Sequence, residues 1–164
     1  MQHLVNSVRQ ALKDKNWYAA LMASLALPDI AAKLDGKSGT PSDRFIAWYD
    51  GYLLATFTSN MPPDGLPHVF LSGKDCYALR CAYLHAGDFA IEGQKIRTAL
   101  ERFHFTAPSP LVRHCNLVNN VLLQLQVDLF CEEICAAVDA WLLARGGDPA
   151  VASAIVALPQ IDFN

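Results

Sequence analysis

Charged residues are scarce in this sequence, and no stretch is long and apolar enough to cross a membrane. Only 18% of the 164 residues are charged and 52% are hydrophobic, which is typical of a globular protein and not of a disordered chain. A membrane-spanning helix needs about 18 or more nearly uninterrupted apolar residues. The amino-terminal residues also lack the apolar core of a signal peptide. We therefore expect a cytoplasmic protein with no membrane partner.

Basic residues do not outnumber acidic ones. Thirteen Lys and Arg stand against 16 Asp and Glu, for a formal net charge of -3, which argues against a broad basic face for duplex nucleic acid but leaves room for a small local anion site. The low charge indicates that a second subunit covers part of the apolar surface, so we expect a homodimer. The length predicts one compact domain over residues 1–164, with no internal repeat.

Metal-binding spacings are also missing, since no CxxC or HExxH motif occurs. The five cysteines are odd in number and mostly fall in apolar, helical patterns, so we interpret them as reduced core thiols. Cys131 and Cys135 lie one helical turn apart, and with the neighbouring pair His114 and Cys115 they leave zinc as the alternative. We predict no metal and no cofactor.

Hydrophobic residues recur at helical spacing over most of the chain. A first helix is predicted up to about Asp14, and a second is capped by Asn16 and interrupted or restarted at Pro28. Its predicted buried side is Trp17, Tyr18, Leu21 and Leu25. The third is predicted from a capping box, followed by an aromatic stripe that we interpret as core; these residues are Thr40, Asp43, Phe45, Trp48, Tyr49, Tyr52, Leu53 and Phe57.

Two segments alternate with a period of two, which favours β-strands. Residues 101–106 place Phe103 and Phe105 on one side, and residues 122–127 alternate in the same way. We predict that they pair antiparallel around a loop at 108–120, and we predict a surface loop at 58–67. A long helix from Val127 to about residue 146 and a short last helix from about residue 148 to 158 follow. The predicted fold is mainly α, with a small antiparallel β-hairpin before the long carboxyl-terminal helix.

The stretch SGKDCYALRCAYLHAGD at residues 72–88 carries the clearest functional signal. Ser72 and Asp75 fit a helix capping box, and Gly87 fits a left-handed helix stop. Between residues 76 and 84 every residue is apolar or aromatic except Arg80. An apolar helix is normally buried, and an unpaired buried charge is costly. Arg80 therefore needs a partner, a polar cleft or an interface.

His85 ends the same helix and is the natural chemical partner of Arg80. In a shared cleft His85 would take the proton from a ribose 2′-hydroxyl, and Arg80 would stabilise the charged phosphorane. A spacing of five puts the two side chains about 140° apart on an ideal helix. The pair would meet if His85 lies in the last turn or if a symmetric partner brings its own helix alongside. The alternative is structural, with Arg80 bound to a core carboxylate or carbonyl groups and His85 capping carbonyl groups.

The segment ALRCAYLHAG resembles the R-x4–6-H motif of the HEPN superfamily, with Arg80 and His85 at the motif positions. The resemblance implies a helical bundle that dimerises with the motif helices facing each other. It also implies a metal-independent endoribonuclease of a defence or toxin–antitoxin type, with RNA and a cognate antitoxin-like protein as partners. Other members are catalytically inactive binding or regulatory modules. Cys81 stands where active members often carry a polar residue, which favours the inactive alternative.

Two further groups are candidates for supporting roles. Asp75, Tyr77 and Asp88 flank the motif and would position a phosphate, a water or His85, although capping and core packing are the alternatives. The stretch 94–114 is locally basic and has interleaved phenylalanines, so it is a weaker candidate for binding single-stranded RNA. Its candidate residues are Arg97, Arg102, His104 and Arg113. The alternative for this stretch is a solvated strand face.

Overall fold

Helices account for most of the regular structure in a computed structural model, which describes residues 1–61 and 65–162. The helices of these residues are α1 (Gln2–Lys13), α2 (Trp17–Leu34), α3 (Pro41–Tyr52), α4 (Gly73–Ala86), α5 (Val127–Arg145) and α6 (Pro149–Val156). The strands are β1 (Thr58–Met61), β2 (Leu66–Val69), β3 (Arg102–Thr106), β4 (Asn116–Val118) and β5 (Leu122–Gln126). The predicted mainly α class is confirmed. None of the described helices has the length and apolar character of a membrane span.

Local capping chemistry sets the helix ends where the sequence predicted it would. Thr40 Oγ1 accepts from the backbone N–H of Asp43 at 3.2 Å, and the Asp43 carboxylate accepts from the Thr40 N–H at 3.1 Å, which completes the capping box of α3. Ser72 Oγ accepts from the Asp75 N–H at 3.1 Å at the start of α4. Gly87 ends α4 with φ +68°, a conformation that favours glycine.

The second helix differs from the prediction in two ways. Pro28 neither interrupts nor restarts it, because α2 runs unbroken from Trp17 to Leu34 with Pro28 buried inside it. A proline in a helix interior removes one backbone hydrogen bond, and the packing of α2 against α1, α3 and α5 offsets that loss. Tyr18 is also not buried, since it is 74% exposed, whereas Leu21 and Leu25 are in the core as predicted.

The carboxyl-terminal sheet has the predicted strands in a different arrangement. β3 pairs with β5 in parallel, with Phe103 opposite Leu123 and Phe105 opposite Leu125, so the predicted antiparallel pairing of these strands is wrong. The sheet order is β3-β5-β4, and β4 is the antiparallel neighbour of β5. Asn119 and Asn120 make the tight turn between β4 and β5 with φ of +52° and +60°, values that asparagine tolerates well in hairpin turns.

The predicted surface loop at 58–67 is partly a second hairpin. β1 and β2 pair antiparallel, with Thr58 opposite Val69 and Asn60 opposite Pro67. Three residues of the predicted loop, 62–64, lie outside the described part of the chain. A loop was predicted because the segment is polar and contains three prolines, and this composition is not typical of β-strands.

Buried aromatic residues and one buried acid hold the helices together. Trp48, Tyr49, Phe45 and Phe57 from the predicted aromatic stripe are 1% exposed or less. Asp35 follows α2, and its side chain is only 2% exposed. Asp35 accepts hydrogen bonds from Trp141 Nε1 at 3.1 Å and from Arg145 Nε at 2.8 Å, and Lys37 Nζ lies 3.3 Å away. These bonds connect the carboxyl ends of α2 and α5.

The Asp35 carboxyl is held in its charged form by its partners. Burial on its own would raise the pKa of Asp35, but the hydrogen bonds from Arg145, Trp141 and Lys37 outweigh burial and lower it below its ordinary value. The ionised carboxylate therefore contributes stability at neutral pH.

Candidate functional site

Arg80 is bound to an acid of the neighbouring helix. Arg80 Nη2 lies 2.6 Å from Asp29 Oδ2, and the two side chains are 20% and 27% exposed. Asp29 is the only acidic residue of α2, as Arg80 is the only charged residue in the apolar run of α4. This salt bridge supplies the partner that the buried position of Arg80 required.

Arg80 and His85 come into contact within one chain. Arg80 Nη1 lies 3.4 Å from His85 Nε2, and His85 is an exposed residue in the last turn of α4. The arginine side chain is long enough to span the angular gap that a spacing of five creates on a helix. Because a guanidinium only donates hydrogen bonds, this contact requires a lone pair on Nε2. A second subunit is not needed to bring the two groups together.

The remaining donors of Arg80 are only partly used. Nη1 also lies 3.9 Å from Cys81 Sγ, a weak acceptor. Arg80 Nε is buried and has no hydrogen-bond partner among the described residues. Tyr77 lies one turn earlier on α4, and burial and the neighbouring Cys81 raise its pKa, while Arg80 acts in the opposite sense. Tyr77 also packs edge-on against the buried Phe45, with ring centroids 5.2 Å apart, which is the core-packing alternative. Its supporting role stays a prediction.

A surface cleft of about 390 Å³ opens beside the Asp29–Arg80 salt bridge. It lies between α2, the start of α3 and α4, and its charged lining residues are Asp29, Lys33, Arg44 and Arg80. We call it the cationic cleft, because three cations stand against one carboxylate. Arg44 Nη1 donates to the carbonyl oxygen of Gly39 at 2.5 Å, which ties the Arg44 side chain to the loop before α3. This arrangement suits a phosphate or another anion.

Asp75 and Asp88 make no hydrogen bond or salt bridge with Arg80 or His85 among the described residues. Asp75 is 3% exposed, and its carboxylate accepts from Ser72 Oγ at 2.7 Å and from the backbone N–H of Thr98 at 2.7 Å. Asp75 therefore holds the hydroxyl of Ser72, the cap of α4, and ties α4 to the loop before β3. Asp88 Oδ1 accepts from the Ala90 N–H at 2.9 Å and so shapes the turn after α4. For Asp75 these contacts agree with the structural alternative that the sequence offered, and the supporting role of Asp88 stays a prediction.

The locally basic stretch is spread over the sheet and its loops. Arg102 and His104 are exposed on β3, and Arg113 is exposed in the loop before β4. Arg97 donates to the carbonyl oxygens of Glu92 and Leu100, both at 3.2 Å, so its guanidinium holds a loop. The described hydrogen bonds and salt bridges include none between these residues and Arg80 or His85. They are separate from the cluster on α4.

His114 belongs to a different, half-buried pair. Its Nε2 lies 3.0 Å from Glu133 Oε2. Burial opposes protonation of the ring, but hydrogen bonds with Cys115 and Glu133 outweigh burial and raise the pKa of His114 to about 9. The backbone N–H of Gln126 points at Nδ1 from 3.3 Å, and as a donor it favours the neutral ring. This long bond is weaker than the charge-assisted bond between the protonated ring and the Glu133 carboxylate.

The cysteines show no metal-binding arrangement in the part of the chain that is described. All five are free thiols, and no three His, Cys, Asp or Glu side chains of residues 1–61 and 65–162 converge as metal ligands would. Burial raises the pKa of Cys131 and of Cys135 to about 12, so both are protonated thiols at neutral pH. Ser24 Oγ donates to Cys131 Sγ at 3.4 Å.

Comparison with known proteins returns no relative. No protein-family model, no curated protein and no solved structure matches this chain. The resemblance to the HEPN superfamily therefore rests on the Arg80–His85 motif and the helical architecture. Asp29, Lys33 and Arg44 are site residues that the sequence did not single out. A lone acid in the apolar helix α2 was the one signal that could have pointed to Asp29.

Proposed function

We propose that this chain is a HEPN-like protein in which Arg80 and His85 cleave RNA without a metal ion. The contact of 3.4 Å between Arg80 Nη1 and the exposed His85 Nε2 carries the proposal, because both groups can reach the same phosphodiester. The cations of the cationic cleft support it, since they would hold the flanking phosphates of a single strand.

The reaction follows from the two functional groups. His85 accepts the proton of a ribose 2′-hydroxyl while the 2′-oxygen attacks the adjacent phosphorus. Arg80 stabilises the phosphorane through hydrogen bonds to its oxygens. The bond from phosphorus to the 5′-oxygen then breaks, and the imidazolium of His85 returns the proton to that oxygen. The products are a 2′,3′-cyclic phosphate and a 5′-hydroxyl end, and no redox or hydrolytic co-reactant is consumed.

A second candidate is a catalytically inactive binding module with the same site. The salt bridge of 2.6 Å between Arg80 Nη2 and Asp29 favours it, because the carboxylate neutralises the guanidinium that would have to stabilise the phosphorane. Cys81 after the arginine favours it as well. In this case the cationic cleft would hold an anion, a nucleotide or a partner protein without chemistry. We propose a homodimer for both candidates, and bound RNA and an antitoxin-like partner for the ribonuclease.

Cleavage of a varied single-stranded RNA pool in excess EDTA tests the first candidate. We expect cleavage by the native protein, and a loss of about 100-fold to 10,000-fold in His85→Ala, the range that a general base contributes. Arg80→Ala and Arg80→Lys should lose activity as well, since a single ammonium cannot reproduce the fork of donors. His3→Ala removes an exposed histidine on α1 and is the matched control.

The outcomes separate the two candidates. Absence of cleavage combined with oligonucleotide binding that depends on Arg80 would remove the enzyme and leave the binding module. Cleavage that survives in His85→Ala would refute the assigned base. Thermal unfolding of each variant shows whether a loss of activity is a loss of folding.

A further inference from the structure

A second cleft of the molecule is lined by aromatic rings. Trp17 and Tyr18 at the start of α2, Phe89 after α4, and Phe105 and Thr106 of β3 line a space of about 180 Å³. We call it the aromatic cleft. Trp17, Phe89 and Phe105 are half-buried, and Tyr18 is 74% exposed. Core aromatic residues are normally covered, so an open group of four rings is unlike the stripe of α3.

Two of the four rings around this cleft, Phe89 and Phe105, are packed against other aromatic residues. Phe89 stacks on Tyr83 of α4 with ring centroids 4.8 Å apart and an interplanar angle of 15°. The ring centroids of Phe89 and Phe105 are 5.2 Å apart. Phe105 packs edge-on against the buried Phe130, with ring centroids 5.3 Å apart. A flat ligand that stacks on Phe89 or Phe105 would therefore bind with little loss of side-chain conformational entropy in those two rings.

The helices α2 and α4 join the aromatic cleft to the Arg80–His85 pair. Tyr18 and Asp29 are eleven residues apart on α2, which places them about 20° apart around the helix and about 16 Å apart along it. Asp29 binds Arg80, and Tyr83 and Phe89 follow Arg80 along the chain. Tyr18 and Asp29 thus lie on the same side of α2, and a few nucleotides of single strand can cover the distance between them.

We infer that the aromatic cleft is a nucleobase-binding subsite, in which a base of single-stranded RNA stacks while the Arg80–His85 pair contacts its backbone. Every base has an aromatic face, so rings beside a cationic groove are the usual way in which proteins hold single strands. The volume suits one base and not a larger ligand. Thr106 supplies a hydroxyl beside the rings for an edge of the base. This inference rests on the proposed function and names the part of the substrate recognised away from the phosphate.

Fluorescence of Trp17 offers a direct measurement. The other two tryptophans, Trp48 and Trp141, are 1% and 0% exposed and so provide a constant background. The titrant is a short single-stranded deoxyoligonucleotide, which lacks the 2′-hydroxyl and cannot be cleaved. We expect it to quench Trp17, and we expect the quench to be absent in Trp17→Phe. Inorganic phosphate should cause no quench because it has no ring.

Tyr18→Ala is the decisive variant, because this exposed side chain can be removed with little effect on folding. We expect it to weaken oligonucleotide binding by about fivefold or more, the effect of losing one stacked base. Leu143→Ala is the matched control, since Leu143 lies on α5, is 90% exposed and lines neither cleft. Unchanged affinity in Tyr18→Ala would overturn the inference.

Two other outcomes would also overturn it. Equal quenching by inorganic phosphate would show that the rings do not stack with a base. Emission that changes with protein concentration alone would show that the aromatic cleft is a contact between copies of the chain. The proposed cleavage reaction can fail independently, since a cleavage assay with His85→Ala tests it and base binding by the uncleavable oligonucleotide does not.

Discussion

Replacing Asp29 with asparagine should destabilise the fold and tighten anion binding at the same time. The substitution keeps the shape of the side chain and removes the charge that pairs with Arg80. Arg80 would then be a largely buried cation, 20% exposed, without a counter-charge on α2. The same change removes the only carboxylate of the cationic cleft and leaves Lys33 and Arg44 in place.

The size of the stability effect follows from the exposure of the pair. An exposed salt bridge contributes about 0.2–1 kcal/mol, and breaking a fully buried one costs about 3–5 kcal/mol. Arg80 and Asp29 are 20% and 27% exposed, so screening by solvent reduces the effect to about 1–2 kcal/mol. For a chain of this size the melting temperature should fall by about 2–8 °C.

The effect on binding has the opposite sign. A carboxylate at about 4 Å repels an anion by about 1 kcal/mol in a water-like dielectric, so Asp29→Asn should bind a short oligonucleotide about fivefold more tightly at low salt. The gain should shrink as salt is added, because the cleft is partly exposed. Urea unfolding and oligonucleotide titration of the same samples measure the two effects.

A double-mutant cycle isolates the pair. Arg80→Met, Asp29→Asn and the double variant give the coupling energy of the salt bridge. Asp162→Asn removes the same charge at an exposed position near the end of the chain and is the control for net charge. A coupling energy near zero would refute the structural role of the pair. Weaker anion binding in Asp29→Asn would instead mean that Asp29 positions Arg80 for its ligand.

Two further predictions concern buried charges. Asp35→Ala should lower the free energy of unfolding by about 2–3 kcal/mol, because it leaves the buried Trp141 Nε1–H without an acceptor. Since the pKa of Asp35 is lowered in the folded state, the ionised carboxylate contributes stability that is lost as the pH falls through the folded-state pKa. The difference in melting temperature between the two proteins should therefore narrow as the pH falls below about 4. The pKa of His114 is raised to about 9, so its contribution to stability should be complete below about pH 6.5 and lost as the pH rises through 9. Glu133→Gln should flatten that decline in melting temperature, and an equally steep decline in this variant would contradict the assignment.

Local chemistry allowed the helices to be predicted from the sequence. The capping box at Thr40, the side-chain cap of Ser72 and the left-handed stop at Gly87 involve residues only a few positions apart, and the structure has them where they were expected. The reciprocal bond of a capping box at Ser72 is not formed, because the Asp75 carboxylate accepts from Ser72 Oγ and from the Thr98 N–H instead. The alternating strands at 101–106 and 122–127 were also recognisable, because period two is a local property. Burial of the aromatic stripe on α3 followed from its helical spacing.

Which strands pair and which residues the helices cover could not be predicted from local patterns. Whether β5 pairs with β3 in parallel depends on the path of the chain between them, which crosses to β4 at the far edge of the sheet. The exposure of Tyr18 depends on where α4 and β3 leave α2 uncovered. The continuity of α2 through Pro28 depends on the helices packed around it. These outcomes are set by contacts between residues distant in sequence, which no local pattern records.

The candidate site likewise has a part that was predictable from the sequence and a part that was not. Residue type and helical spacing were enough to predict that a lone arginine and a histidine share one apolar helix. That Arg80 binds Asp29, fifty-one positions earlier in the chain, and that Lys33 and Arg44 border the same cleft became known only from the packing of the helices. A largely buried arginine needs an acidic partner, and the packing of α2 against α4 makes Asp29 that partner.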